Sequence, residues 1–435
     1  MMNVLIITGE FGNGHTAAAK ALRQELLHED PHCRVVIADL VRYLCPRCSR
    51  LVYGAFNRMA EHANWLYNAI NHIGEKSRQL PMKGLFSEKF QELIDRHAPD
   101  LIISTWPIGA RYIGAYKEYT GSRIPYITCI TDVAPNYEWI SSASDAYLVG
   151  DRMTRERLMR MGVDRKKIFV SGIPVRHDFL LDRAPFRCTE EDGGEEGCRR
   201  ILIMGGGLGL MPGIDELLHI FAAWPDLRTT VITGRNEKLK QRLKKAWPRA
   251  DIRGYVASPA ACMRRADWLV TKAGGITTFE AIHAGTPMLI LPPFLEQERD
   301  NAAFIERRKI GRILFADRNL WAEQIAALLR DPAAGAEIAA QMRSLRREFA
   351  AQRLSGVIEE VMRRRPAAMI AAPRQMPSIR QVSSFQQGSP VQQVSSFHQG
   401  SPVQQASSFQ QASPFQQGSP VSSMPPTGEQ EEYSL

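Results

Sequence analysis

Residues 271–301 read TKAGGITTFEAIHAGTPMLILPPFLEQERDN, and the succession of elements in this stretch decides how the chain folds. A short apolar strand over residues 268–271 runs into the turn Gly274-Gly275, a helix opens at Ile276 and closes at Gly285, and a second apolar strand over residues 287–291 leads into a polar loop. A strand, a glycine turn and a helix in this order aim backbone N–H groups at one spot, and the helix dipole adds positive potential there. The unit is an anion site, and a phosphate suits it best. Gly274 and Gly275 form its turn, and Glu280 lies one turn inside, where a carboxylate accepts two ribose hydroxyls. Gln297 and Asn301 are four apart, so on a helix they share a face and offer contacts to further hydroxyls. A diphosphate carrying a polyol at each end, such as a nucleotide sugar, fits this set.

Working outward, the 435 residues exceed one core and imply two domains with additions. The hydrophobic fraction, 44%, is ordinary for a globular chain. The longest apolar runs are near ten residues, short of the roughly 20 that a membrane span needs. The first residues carry no basic leader, and the seven cysteines are odd in number, so a cytoplasmic chain in a reducing compartment is expected. The net charge is +9. Residues 366–435 contribute Arg374 and Arg380 against Glu429, Glu431 and Glu432, so the basic excess belongs to the folded part. Such a balance suits nucleic acid, anionic lipid or phosphate-bearing substrates, and charge alone does not choose.

The chain opens with the strand NVLIIT (residues 3–8), a turn holding Gly9, Gly12 and Gly14, an Ala-rich helix over residues 15–27 and a second strand over residues 34–38 ending at Asp39. This βαβ start is the frame of a Rossmann-like domain. Asp39 sits where a dinucleotide-binding fold places its ribose acid, but the glycines run G-x-x-G-x-G rather than G-x-G-x-x-G, and the nicotinamide reading is set aside. His15 stands at the helix entry, where the dipole keeps an imidazole neutral and able to take a proton, or where it makes only local bonds. Residues 51–73 read as a helix with Phe56 on an apolar stripe and Trp65 beside it, either a core-facing helix or one lying at a lipid surface. Cys45 and Cys48 have no zinc partners or thioredoxin-like context in the sequence and read as incidental. Further strands cover residues 101–105, 126–131 and 146–149, the second placing Asp132 at a strand's carboxyl end, where α/β sheets put function.

The first domain is bounded at residues 1–180, an acidic, glycine-bearing linker follows over 181–199, and a second domain covers 200–340. The latter begins with a strand at 200–204 and a glycine turn containing Gly206 and Gly207, with another strand at 230–233. A closing helix at 341–365 is expected to cross back to the first domain. After it, residues 366–435 turn to Gln, Ser and Pro, with three twelve-residue repeats starting at Gln381, Gln393 and Gln405, a composition that cannot build a core and is expected to be disordered.

Several segments resemble one family, the monogalactosyldiacylglycerol synthases and processive diacylglycerol glucosyltransferases. The resemblance rests on Gly12-x-Gly14-His15 with Ala17-Ala18, on Thr131-Asp132 with Trp139, on Gly172-Ile173-Pro174-Val175-Arg176, and on Gly205-Gly206-Gly207 with Gly209. It continues in Gly234-Arg235-Asn236, Gly254-Tyr255-Val256, Thr271-Lys272-x-Gly274-Gly275-Ile276-Thr277, Glu280, Gly285 with Pro287, and Gln297-Glu298 with Asn301-Ala302. Two departures stand out: Glu296 replaces a glycine usual before the Gln, and Asn136 stands where a histidine is usual.

The resemblance implies two facing Rossmann-like domains (GT-B type) and inverting transfer of a hexose from a UDP-sugar to a lipid hydroxyl such as that of diacylglycerol. It implies His15 or Asp132 as the acceptor's base, Gly14, Asn236, Tyr255 and Val256 beside the 271–301 stretch on the donor, and Phe56, Trp65 and Trp139 toward the acceptor lipid or the membrane. The location implied is peripheral on the inner face of the cell membrane, bound to an anionic surface, with no metal, cofactor or nucleic-acid partner. A UDP-sugar epimerase with the same two-domain cleft, and a non-catalytic lipid- or nucleotide-binding relative, remain as alternatives.

Overall fold

Among the described residues of this computed structural model, twelve strands, all parallel, fall into two six-stranded sheets. It describes residues 1–11, 14–62, 83–181, 198–207, 209, 211–293 and 295–364, and the compact unit Met1–Gln375 contains them all. The first domain runs β1 (Asn3–Thr8), α1 (Gly14–Glu29), β2 (Arg34–Asp39), α2 (Leu40–Leu44), α3 (Ser49–His62), α4 (Lys83–His97) and β3 (Leu101–Ser104). It continues with α5 (Pro107–Thr120), β4 (Tyr126–Cys129), β5 (Ala146–Val149), α6 (Arg152–Arg160), β6 (Ile168–Val170) and α7 (His177–Leu180). The second runs β7 (Arg199–Met204), α8 (Ile214–Ala222), β8 (Leu227–Ile232), α9 (Glu237–Ala246), β9 (Asp251–Arg253), α10 (Ala260–Arg265) and β10 (Trp268–Thr271). It closes with α11 (Gly275–Ala284), β11 (Met288–Ile290), α12 (Glu296–Arg307), β12 (Gly311–Ile313), α13 (Trp321–Arg330), α14 (Pro332–Ala350) and α15 (Leu354–Arg363).

The expected fold class, two Rossmann-like domains, is therefore the one observed. Strand order is β2-β1-β3-β4-β5-β6 in the first sheet and β12-β11-β10-β7-β8-β9 in the second. In each, the order reverses next to a strand that opens the domain, beside β1 and beside β7, and the crevice at such a reversal is where α/β sheets take ligands. Gly14, which opens α1, and the glycine turn after β7 lie at these two places.

Central strands such as β3 (LIIS) and β10 (WLVT) are buried along their whole length, which is why they read as continuous apolar runs rather than alternating ones. The α15 helix follows the second domain in sequence but buries Leu354, Val357, Ile358 and Val361 in the core of the first, with Val4, Ile6, Leu22 and Leu148. Gly172 accommodates the ring of Phe349 from α14, and Gln352 accepts the Val170 N–H.

Two details, at the end of β4 and at Cys45 and Cys48, depart from the sequence reading. β4 stops at Cys129, so Thr131 and Asp132 lie in the turn beyond it. Asp39 caps α2 through Arg42 N and takes the Tyr53 hydroxyl at 2.6 Å, in keeping with the nicotinamide reading having been set aside. Cys45 and Cys48 form a disulfide at the α2–α3 connection, so the pair read as incidental is a covalent closure. Trp65 and the side chain of Phe56 lie outside the described residues, as do residues 366–435 and Gly12.

Candidate functional site

The second domain presents α11. Its N-cap is Gly274, with extended backbone and no side-chain cap, so the amides of the first turn are left for another partner. Gly274, Gly275, Ile276 and Thr277 stay partly open, whereas Thr278, Phe279 and Glu280 are buried. Glu280 keeps its place on the inner face of the helix, and Arg176 Nη2 donates to its Oε1 at 2.6 Å. Burial raises the Glu280 pKa, and the neighbouring guanidinium lowers it in part. Another Arg176 nitrogen donates to the carbonyl of Ala257, just past Tyr255 and Val256. Arg176 thereby joins the carboxylate, the loop after β9 and the segment between the two sheets.

Lys272 Nζ donates to Glu298 Oε1 at 3.0 Å, and the other oxygen of the buried Glu298 has no hydrogen-bond partner. Gln297 and Asn301 do not share the role their spacing predicts. Gln297 is exposed on α12 and donates to Asp132 of the first domain. Asn301 is buried, donates to the Ala273 carbonyl at 3.0 Å and so braces the turn before α11. Its Oδ1 is buried without a partner.

The turn after β7 interlocks with that after β8. A Cβ on Gly209, whose φ is +66°, would drive into the Thr233 carbonyl, and Arg235 N donates to Gly207 O at 3.0 Å. Gly206 lies beside the Lys272 stem. Asn236 Oδ1 accepts the Leu239 N–H at 3.0 Å, so this carboxamide oxygen caps α9 instead of reaching for a nucleotide. Tyr255 is 59% exposed, with the Arg235 guanidinium 5.5 Å from its ring, while Val256 packs partly on the core.

The first domain presents His15 in the opening turn of α1. Its Nδ1 lies 2.9 Å from Thr131 Oγ1, and its backbone carbonyl accepts from Thr105 Oγ1 at 3.0 Å. Burial lowers its pKa to about 4, partly offset by the Thr105 backbone, so the ring is neutral near pH 7. Asp132 follows Thr131. Burial raises its pKa to about 6; the Gln297 amide opposes this, Asp300 adds to it, and a bond to the Trp139 side chain opposes it. Trp139 is only 2% exposed, with its ring edge-on to His15 at 6.0 Å between centroids. This corrects its placement toward a membrane: the indole packs inside the first domain behind His15 and Asp132. Asn136, the departure from the histidine pattern, accepts the Glu138 N–H at 3.1 Å in a local turn.

The two walls meet. A Cβ on Gly275 would stand 2.7 Å from the Thr131 carbonyl, and one on Gly14 would stand 3.7 Å from Ile276, so the open end of α11 abuts the residues that hold His15. Arg176, Thr131 and Glu298 thus join the site. All three lay inside quoted motifs, but nothing in their spacing announced what they would touch. Among the described residues there is no group of three or more His, Cys, Asp or Glu side chains that could hold a metal ion. No described helix is long and apolar enough to cross a membrane.

Residues 15–175 match the family model for monogalactosyldiacylglycerol (MGDG) synthase, and residues 201–357 match that for the glycosyltransferase family 28 C-terminal domain. A processive diacylglycerol beta-glucosyltransferase of Bacillus licheniformis is 27% identical over 337 residues, covering 76% of this chain and 87% of its own. Among solved structures, the glycotransferase of kitacinnamycin superposes with a TM-score of 0.55 at 17% identity, over 82% of this chain and 98% of that one. A putative UDP-N-acetylglucosamine 2-epimerase from Listeria monocytogenes does so with a TM-score of 0.53 at 16% identity, over 83% and 97%. The shared fold thus spans transferases and epimerases alike.

Proposed function

We propose, from the match of residues 15–175 to the MGDG synthase model and of residues 201–357 to the glycosyltransferase family 28 C-terminal model, a glycosyltransferase that moves a hexose from a UDP-sugar to the hydroxyl of a diacylglycerol-type lipid, with inversion at the sugar's anomeric carbon. The observation that carries this reading is the meeting of the uncapped α11 N-terminus with the His15–Thr131–Asp132 cluster across the two domains. An anion bound at α11 lies within reach of a neutral imidazole and a carboxylate, the arrangement that displacement of a nucleotide by a hydroxyl requires.

In this reading the UDP diphosphate rests on the amides of Gly274–Thr277 and on the turn of Gly206 and Gly207, and Glu280 takes the ribose hydroxyls with Arg176 holding it in place. Backbone donors fixed before the reaction stabilise the charge that develops on the leaving UDP, and no metal is assigned to the step. Gln297, exposed at the start of α12, is the residue of that helix offered to the sugar, while the buried Glu298 and Asn301 hold Lys272 and the turn before α11 in place. His15 or Asp132 takes the acceptor proton. Exposed Leu51 and Val52, with the neighbouring exposed Arg47 and Arg50, give α3 and its approach an apolar and basic surface that suits an anionic bilayer, which supports a peripheral location on the inner face of the cell membrane in this reading.

The test is purified protein with diacylglycerol liposomes and UDP-glucose, UDP-galactose or UDP-N-acetylglucosamine, with and without EDTA, measuring UDP release and glycolipid. Glycolipid formed at the same rate in EDTA is the expected result. Absence of turnover in every combination defeats the transferase reading, and interconversion of free sugar nucleotides without lipid product replaces it with an epimerase.

A further inference from the structure

A histidine acts as a base through one nitrogen only, and what holds the other nitrogen decides which one. In this protein Nδ1 of His15 lies 2.9 Å from Thr131 Oγ1. Thr131 is 4% exposed in the turn that follows β4, so its hydroxyl sits in packed surroundings. The His15 main chain is fixed as well, since Thr105 Oγ1 donates to its carbonyl at 3.0 Å and contacts Thr8 Oγ1 at 3.0 Å. The same Thr131 bears its backbone carbonyl on Gly275, the first residue of α11, where no Cβ fits. One residue therefore touches both the imidazole and the helix that receives the leaving nucleotide.

The geometry points to Thr131 as a positioning residue: its hydroxyl accepts the Nδ1–H of His15, fixes the tautomer with Nε2 unprotonated, and aims that nitrogen into the cleft beside the α11 N-terminus. The hydroxyl does not touch the reacting atoms. It works through the ring, as the third group that orients the base does in a nucleophile–base–orienter triad. Misplacing a base by a fraction of an ångström, or leaving it in the wrong tautomer, lowers turnover while donor binding stays intact. The kinetic part of this inference rests on the transferase reading; the tautomer does not.

The experiment uses the full chain labelled with 15N-histidine, the His15 signals being assigned by their loss in His15→Ala. Near pH 7 the expected spectrum shows His15 neutral with the proton on Nδ1, and Thr131→Val moves it toward the Nε2-protonated form or a mixture. In glycolipid synthesis Thr131→Val is expected to lower kcat by roughly tenfold to a hundredfold with the donor KM within about twofold. Thr131→Ser, which keeps the hydroxyl, is expected to restore both tautomer and rate, and His15→Ala with Thr131→Val to be no slower than His15→Ala alone. Three results each overturn the inference: a wild-type His15 protonated on Nε2, an unchanged spectrum and rate in Thr131→Val, or Thr131→Ser behaving like Thr131→Val. A wild-type protein that makes no glycolipid defeats the transferase reading instead, and the spectra still decide the role of Thr131.

Discussion

Arg176 Nη2 lies 2.6 Å from Glu280 Oε1, which ties the segment between the two sheets to the carboxylate of the donor helix. The Glu280 side chain is almost fully enclosed, at 4% exposure, whereas Arg176 keeps a quarter of its surface. Removing the cation leaves a buried carboxylate without its partner, a change that typically costs about 3–5 kcal/mol. Arg176→Met is therefore expected to lower the melting temperature and, through Glu280 and the Ala257 loop, to weaken UDP binding measured by calorimetry by at least about tenfold. Adding Glu280→Gln should recover much of the stability but none of the affinity. Unchanged UDP affinity in Arg176→Met would separate the pair from the donor site.

Gly275 offers a case in which two effects oppose each other. Alanine is better than glycine inside a helix by about 1 kcal/mol, so propensity alone predicts a gain. The added Cβ, however, meets the Thr131 carbonyl at 2.7 Å, backbone that cannot step aside as a side chain could. Gly275→Ala is expected to push α11 off the first domain and lower kcat/KM by roughly tenfold or more. Gly356→Ala in α15, where nothing lies within 4 Å, is the control and should be neutral or slightly stabilising.

These contacts mark where sequence and structure part. β10 was legible to the residue, because WLVT is fully buried and flanked by a glycine turn, and so was the α11 helix to within one position. The strands IFV, DIR and GRI were not, since three residues at the sheet margins hold no periodicity to read. At the site, the spacing of Gln297 and Asn301 showed a common helix face but could not show that α12 turns Asn301 inward to Ala273 while Gln297 reaches Asp132. The resemblance put Trp139 toward the acceptor lipid or the membrane, and only the tertiary fold shows its ring closed in behind His15. Arg176 followed a hinge-like G-I-P-V, and its partners lie 81 and 104 residues away.

The two candidate bases separate by pH. Asp132, raised to about 6 chiefly by burial, is protonated below that pH and cannot accept a proton there. If it is the base, or must be charged to hold Gln297, kcat/KM rises with pH and levels off above about 6, falling about tenfold per unit on the acid side. His15, lowered to about 4 chiefly by burial, is already neutral across that range and puts its own limb near 4. A pH profile of donor turnover is expected to show the limb near 6 in wild type and to lose it in Asp132→Asn. A wild-type limb near 4 would take Asp132 out of the reaction.

The α12 helix is held by the first domain at both ends, Gln297 to Asp132 near its start and Arg308 to Asp151 just past its end. Asp151 is fully buried and also caps α6, and Arg308 lies 3.5 Å from Glu348, which in turn accepts from Arg152 at 2.7 Å. The helix that carries Gln297 and Asn301 is thereby set relative to the first domain by carboxylates that follow β4 and β5. Arg308→Leu strands the buried Asp151 and is expected to cost about 3 kcal/mol or more by chemical denaturation. Asp151→Asn added to it should return part of that loss, since a neutral amide still caps α6. Because the far anchor is what fixes the angle of α12, Arg308→Leu should also raise the donor KM although Arg308 touches no part of the proposed donor site. A double variant that regains stability while the donor KM stays raised supports this coupling, whereas a donor KM unaffected in Arg308→Leu confines the ion pair to stability.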